Sequence, residues 1–309
     1  MGDDAHHVVA GALSMGVDQR PARLLILGAT QGVGQALIAE LSKPQWAKDL
    51  EVHAVSRQVH TAPARHIIPH QHDLDGGPIA VQADGLISLG PIRYALDHLR
   101  SRPPNDPMGA AWALSSASTD FKQDSPDDHE RELMASILED EQSLIATCQA
   151  RGIVHQLYKT TLLYGGADRN VNRVAALIDR LRWVPVIGRG LRSPVHVEDV
   201  AQLIITQWDS WRNRNELMSG TWRLQGGNAL TYPEFLSAIA QGHGLPLRRV
   251  RLPLGVVRLA LALAHRVGRL TDIKASMLSR QRQDLVVDDQ SARAQLGWRP
   301  RRFSPTRDR

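Results

Sequence analysis

The chain has 309 residues, 42% hydrophobic but only 5% aromatic, enough for one large domain or two unequal ones packed on aliphatic side chains. A single cysteine, Cys148, excludes a disulfide framework or a cysteine-built zinc site and fits a reducing cytoplasm. The formal charge of +5 is carried by arginine, since only five of the 37 basic residues are lysines, and no aromatic-interleaved basic stretch argues for nucleic acid. The first residues are acidic where a secretory signal is basic, and no apolar run is long enough to be a transmembrane segment.

Residues 1–20 have no period and are expected to form a flexible lead-in. Leu24–Leu27 has the length of a buried strand, and Gln35–Ser42 is the helix behind it, with Gly28, Gly32 and Gly34 between them. Glu51–Ser56 alternates as a second strand, His66–Pro69 is a weaker third, and Gly85–Leu89 a fourth, closed by Gly90-Pro91. Ala110–Ser115 is a fifth strand, a long helix runs from about Asp127 to Ala150, and Val154–Leu157 starts a sixth strand. Strands separated by helices predict a doubly wound parallel sheet of the α/β class, with a dinucleotide-binding domain over 21–165.

Past Tyr164-Gly165-Gly166 the alternation decays. Helices are expected at Val171–Leu181, Val197–Trp208, 232–242 and 254–270, with a glycine- and proline-rich loop at Val184–Pro194 and a strand-like Thr221–Leu224. Residues 166–298 are therefore assigned the last sheet elements and a smaller, mostly helical cap. The 254–270 helix is apolar round most of its circumference and is placed inside the cap or against a second subunit, a membrane surface being the alternative. Residues 299–309 form a basic tail, expected to be solvated.

An apolar strand, a glycine-rich turn and a helix start in series make a phosphate site. Glycine lets the chain turn tightly and lets backbone approach a pyrophosphate, and the helix offers free N–H groups with the positive end of its dipole. This sets Gly28, Thr30, Gln31, Gly32, Val33 and Gly34 around the diphosphate, with Leu89 and Gly90 beside them. The end of the second strand selects the dinucleotide. A carboxylate there would bind the 2′-hydroxyl of NAD, but the chain has Val55-Ser56-Arg57, and the planar fork of Arg57 suits the extra phosphate of NADP. NADP is preferred over NAD, with Arg57 as a merely solvated strand end the alternative. Asp73 either hydrogen-bonds the adenine or caps a turn.

With Gly-Ala-Thr-Gln-Gly-Val-Gly at 28–34, His-Asp-Leu-Asp at 72–75, Ser115-Ser116, Leu162-Leu163-Tyr164-Gly165 and Pro194-Val195-His196-Val197-Glu198-Asp199-Val200-Ala201, the chain resembles the extended short-chain dehydrogenases/reductases. Leu224-Gln225-Gly226-Gly227 and Leu230-Thr231-Tyr232 match that family's cap, and the likeness covers about residues 23–300. The branch includes nucleotide-sugar epimerases and dehydratases. The resemblance implies an NAD(P) cofactor, a small-molecule substrate such as a nucleotide sugar or a carbonyl compound, and a homodimer. The glycines fall at first, fifth and seventh positions, as in the single-domain branch, rather than at first, fourth and seventh. Lys159 and Thr160 stand where relatives commonly have arginine and proline.

The larger departure is catalytic. The family pairs a tyrosine with a lysine four residues later, whose charge lowers the phenol pKa for proton exchange. The residues four beyond Tyr94, Tyr158, Tyr164 and Tyr232 are His98, Leu162, Asp168 and Leu236. Alignment on Glu141 puts Leu133 and Ile137 at the pair's positions, where with Leu144 and Cys148 they form what reads as one core-packing stripe. Ser116, at the position of the family's substrate-polarising hydroxyl, and Lys122 remain as candidate catalytic groups. Arg192, in a cationic loop with Arg189, stands where extended members grip a substrate diphosphate. His196 and Asp199 belong to a helix start, and His70 with His72 lack the further ligands a metal needs. Two classes of function fit: an NAD(P)-dependent oxidoreductase or epimerase/dehydratase-like enzyme with a nonstandard acid/base group, and a non-catalytic dinucleotide-binding redox sensor or assembly subunit.

Overall fold

In the computed structural model, residues 20–58, 61–166, 168, 170–214, 216–251, 255, 266 and 280–306 are described. The first half runs β1 (Ala22–Leu27), α1 (Val33–Leu41), β2 (Leu50–Ser56), β3 (Ile67–Gln71), β4 (Gly85–Ser88), α2 (Ile92–Ser101), β5 (Ala110–Ser116), α3 (Ser118–Phe121), α4 (Asp128–Ala150) and β6 (Val154–Thr160). The second adds β7 (Leu163–Tyr164), α5 (Asn170–Leu181), β8 (Trp183–Val186), β9 (Leu191–Arg192), β10 (Val195–His196), α6 (Val197–Arg214), β11 (Gly220–Leu224), β12 (Leu230–Thr231), α7 (Tyr232–Gly242), β13 (Arg248–Arg251) and α8 (Gln290–Gln295).

Seven strands form one sheet in the order β3-β2-β1-β4-β5-β6-β11, with every neighbouring pair parallel. Chain order reverses between β1 and β4, the switch point at which open α/β sheets form their crevice. β1 shows why its residues are all apolar: Leu24 and Ile26 join one core with Leu37 and Leu41 of α1 and Ile204 and Trp208 of α6. Leu25 and Leu27 join a second core on the opposite face, with Leu96 and Leu99 of α2 and Leu144 and Cys148 of α4. A strand covered on both faces must be apolar at every position, because successive side chains point to opposite sides.

The cap has its own core, in which Tyr164, Val171 and Ile178 meet Phe235, Leu236, Ile239 and Phe303. Phe303 corrects the expectation of a loose tail. Its ring lies 4.7 Å from Tyr164 and 5.2 Å from Phe235. Arg301 donates to Asp199 at 2.7 Å and to Glu198 at 2.9 Å. A ring packed into the cap core and an arginine facing two helix-start carboxylates tie residues 299–306 down. The lead-in over 1–19 and nearly all of the 254–270 helix lie outside the described residues.

Candidate functional site

The glycine turn is built by its backbone. Gly28 has φ 94°, a conformation that a side chain makes costly, and its amide donates to the Val55 carbonyl at 3.0 Å, tying the turn to β2. Gly34 has no room for a side chain, since a Cβ there would lie 2.1 Å from the Gly28 oxygen. That contact lets α1 start directly over the end of β1. Gly32 occupies the N-cap without a capping side chain, and the Gly32 and Val33 amides make no hydrogen bond among the described residues. Two unmatched donors at the positive end of a helix suit a diphosphate. Gln31 is exposed and Thr30 half-buried on the same turn. Leu89 and Gly90 border it, since a Cβ on Gly28 would sit 3.5 Å from Leu89 Cβ and 3.6 Å from the Gly90 amide.

Arg57 lies exposed one residue beyond β2. Asp73 caps a turn: its side chain accepts from the Asp75 amide at 3.2 Å. The neighbouring Asp75 is an unexpected hub, accepting from Arg93 at 2.6 Å and from the Tyr94 hydroxyl at 2.8 Å. Those two hydrogen bonds, Arg93 first, hold its carboxyl below the usual carboxylate range, and the charge of Arg57 adds to the effect. Arg57 and Arg93 thus act on one carboxylate. No spacing rule links positions 57, 75 and 93; parallel pairing brings the strand ends together.

A cleft of about 610 Å³ opens beyond the ends of β4, β5 and β6. Its lining is mixed, with polar groups from Ser116, Ser118, Lys122, Thr160, Thr161 and Arg192 and apolar surface from Leu89, Ile92, Phe121, Ile137, Leu163 and Leu285. Of the residues singled out in the sequence, Ser116, Lys122, Arg192, Leu89 and Gly90 all face this one space. No tyrosine lines it among the described residues. The short helix α3 does the gathering. The Ser118 amide donates to Ser116 Oγ at 3.1 Å and the Lys122 amide to the Ser118 carbonyl at 3.0 Å, so the chain turns back and delivers Lys122 to the cleft. Lys122 Nζ stands 3.9 Å from Glu130 Oε1.

Arg192 is buried, donates to the Leu191 and Gln283 carbonyls at 2.7 Å each, and lies over the Tyr232 ring at 5.4 Å. Its guanidinium thereby ties residues 283–285 to β9. Behind the cleft floor is a charged cluster that spacing does not announce. Ser115 Oγ donates to Glu141 at 2.5 Å, Lys159 Nζ lies 3.4 Å from Glu141 and 2.8 Å from Asp120, and Arg223 reaches Asp120 at 2.8 Å. Lys159 is thus buried and paired with two carboxylates. Cys148 is a core residue whose thiol burial pushes up to about 12.

The core stripe expected on α4 needs correction at Leu133, which is 49% exposed; Leu144 and Cys148 are buried, and Ile137 packs against their core while also lining the cleft. With 23 residues, α4 is long relative to the strands it covers, so its first turns run past the sheet and leave Leu133 uncovered. His70 bonds His53 at 2.9 Å and His72 bonds the Gly77 carbonyl, and no cluster of potential metal ligands occurs among the described residues. No described helix is long and apolar enough to cross a membrane.

No protein-family model and no curated protein matches this chain. Solved structures do. MoeE5 in complex with UDP-glucuronic acid and NAD is similar with a TM-score of 0.61 at 16% identity, over 91% of this chain and 95% of that one. UDP-glucuronic acid 4-epimerase from Bacillus cereus in complex with NAD gives 0.65 at 12%, over 90% and 93%. The terminal R domain from the myxalamid PKS-NRPS biosynthetic pathway gives 0.65 at 17%, over 94% and 88%. At such identities the likeness shows a shared Rossmann-like α/β fold.

Proposed function

We propose that this chain is an NADP(H)-preferring oxidoreductase acting on a carbonyl compound in the cleft between sheet and cap, with Ser116 and Lys122 replacing the tyrosine–lysine pair. The observation that carries this reading is that both side chains line the one cleft that Leu89 and Gly90 connect to the glycine turn. Two of the similar structures hold NAD, which supports a nicotinamide dinucleotide here. The Gly32 and Val33 amides would receive its diphosphate, and Arg57 the 2′-phosphate.

A reduced nicotinamide bound there supplies a hydride to an electrophilic carbonyl carbon. Ser116 Oγ accepts from the Ser118 amide, and its own hydrogen, used in no other bond among the described residues, polarises the substrate oxygen. The Lys122 ammonium holds the proton which that oxygen takes up as it becomes an alkoxide, and the amine left behind recharges from water. Hydride and proton together turn C=O into CH–OH. Arg192 spends donors on two carbonyls, which favours an uncharged carbonyl compound over a nucleotide sugar.

The second reading, a dinucleotide-binding sensor or assembly subunit without chemistry, is favoured by the apolar Leu133 and Ile137 at the pair's positions. Titration with NADPH and NADH, followed by nicotinamide absorbance over a panel of carbonyl compounds and nucleotide sugars, separates the two. Turnover that Lys122→Ala abolishes supports the enzyme. Binding with no turnover supports the sensor, and failure to bind either nucleotide overturns both.

A further inference from the structure

We propose that the outer edge of the cap, where β8 and β13 pair, binds the surface of a membrane carrying anionic phospholipid. The strands run parallel with Trp183 opposite Arg248 and Val184 opposite Arg249, and the Arg248 amide donates to the Arg182 carbonyl at 3.0 Å. Pairing thus joins two basic stretches far apart in the chain. Arg180, Arg182, Arg248 and Arg249 are all exposed, and none makes an ion pair among the described residues. Trp183, 42% exposed, and Val250, 39% exposed, share the ribbon face of Arg248, while Arg249 lies on the other face, opposite the buried Val184 and within reach of Glu234, so cations border this edge on both sides.

The backbone aims part of this patch outward at a cost. Arg182 has φ 57°, the one described non-glycine residue with a positive value, where α5 ends and β8 begins. Glycine is the cheaper residue at such a helix end, and here the position carries a cation instead. Two carboxylates belong to the neighbourhood. Asp179 precedes Arg180, and Glu234, acted on by Arg189 and Arg249, is committed to Thr231 at 2.6 Å. Four exposed arginines at this edge thus outnumber the two carboxylates named beside them. The excess continues along the chain: residues 235–271 contain six arginines, no lysine and no aspartate or glutamate.

Charge alone would suit any polyanion. The exposed indole and valine among the guanidinium groups decide for lipid, because an indole sits well at the level of headgroups while cations meet phosphates. A nucleic-acid backbone would satisfy the arginines but leave Trp183 and Val250 in water. This surface is separate from the cleft, and the proposal does not rest on the dinucleotide reading.

The test is co-sedimentation of the full chain with vesicles of phosphatidylcholine alone and of phosphatidylcholine mixed equally with phosphatidylglycerol. The protein is expected to sediment with the mixed vesicles at low salt, to be released as salt rises, and to ignore the neutral ones. The triple variant Arg182→Gln/Arg248→Gln/Arg249→Gln should lose roughly a hundredfold in partition, at about fivefold per cation. Trp183→Ala should lose severalfold, and Lys48→Gln, at a distant exposed lysine, should change nothing. Unaltered circular dichroism and thermal unfolding establish that the variants fold. The proposal is overturned if the wild type ignores both vesicles, if the triple variant sediments like the wild type, or if the wild type retards a DNA duplex while leaving vesicles alone.

Discussion

Lys159 and Glu141 are paired in the interior, Nζ to Oε2 at 3.4 Å, with side chains only 6% and 7% exposed. Asp120 and Ser115 complete the arrangement, at 2.8 Å from Lys159 and 2.5 Å from Glu141. This pairing fixes α3 and α4 against β5 and β6, and with them the walls that carry Ser116 and Lys122. Lys159→Met leaves two carboxylates without their shared cation and should cost roughly 3–5 kcal/mol in urea unfolding. A loss under about 1 kcal/mol would mean that the cluster is held by something else.

The same cluster predicts an acid limit. Burial alone would raise the Asp120 carboxyl, but hydrogen bonds from Lys159 and Arg223 outweigh it and hold it below the ordinary carboxylate value. A depressed carboxylate contributes stability that is present above its unfolded pKa of about 4 and is lost as pH falls through the folded value. Asp120→Asn should therefore flatten the decline of stability below about pH 4, measured as unfolding free energy against pH.

His98 titrates in a different window. Burial first, with the charge of Arg102 behind it, takes its pKa down to about 4. Its unfolded form binds a proton near pH 6.5, so stability is complete above that pH and falls as pH drops from about 6.5 to 4, by up to roughly 3 kcal/mol. His98→Leu should remove about one proton from the slope in that range. An unchanged slope would place the titration elsewhere.

Gly34→Ala should not be tolerated, because a Cβ would lie 2.1 Å from the Gly28 oxygen and backbone on both sides must move. The expected cost is about 3 kcal/mol, with loss of nucleotide binding in calorimetry. A stable Gly34→Ala protein that binds NADPH normally would show that the turn holds no diphosphate.

Arg57→Ala should lower NADPH affinity by roughly tenfold to a hundredfold while leaving NADH within about twofold, as expected for loss of a charge-assisted contact to phosphate. Equal losses for both nucleotides would remove Arg57 from the 2′-phosphate and leave it as a solvated strand end.

Phe303→Ala should cost about 3 kcal/mol, since the ring is buried between Tyr164 and Phe235. Thermal unfolding measures it. An unaffected midpoint would restore the solvated tail that composition suggests.

The sheet was legible because two-sided burial leaves uninterrupted apolar runs such as Leu24–Leu27, and because helix periodicity separates them. The glycine turn was legible for a local reason: strand, turn and helix are adjacent in the chain. What escaped depends on distance. Asp120, Glu141 and Lys159 come from α3, α4 and β6, and nothing in their separations says that they meet. Leu133 departs from expectation because a periodic stripe says which face a residue occupies but not whether the neighbouring layer extends that far. The arginine-rich cap edge was hidden in the same way, as Arg182 and Arg248 become neighbours only when β8 and β13 pair.

Phe303 reaches back to residues 164 and 235, so the cap's interior stays incomplete until that part of the chain exists. During synthesis the sheet strands β1 to β6 emerge first and can pair while the cap still lacks its closing ring. A ribosome stalled before position 303 would therefore display a formed sheet half joined to a protease-sensitive remainder.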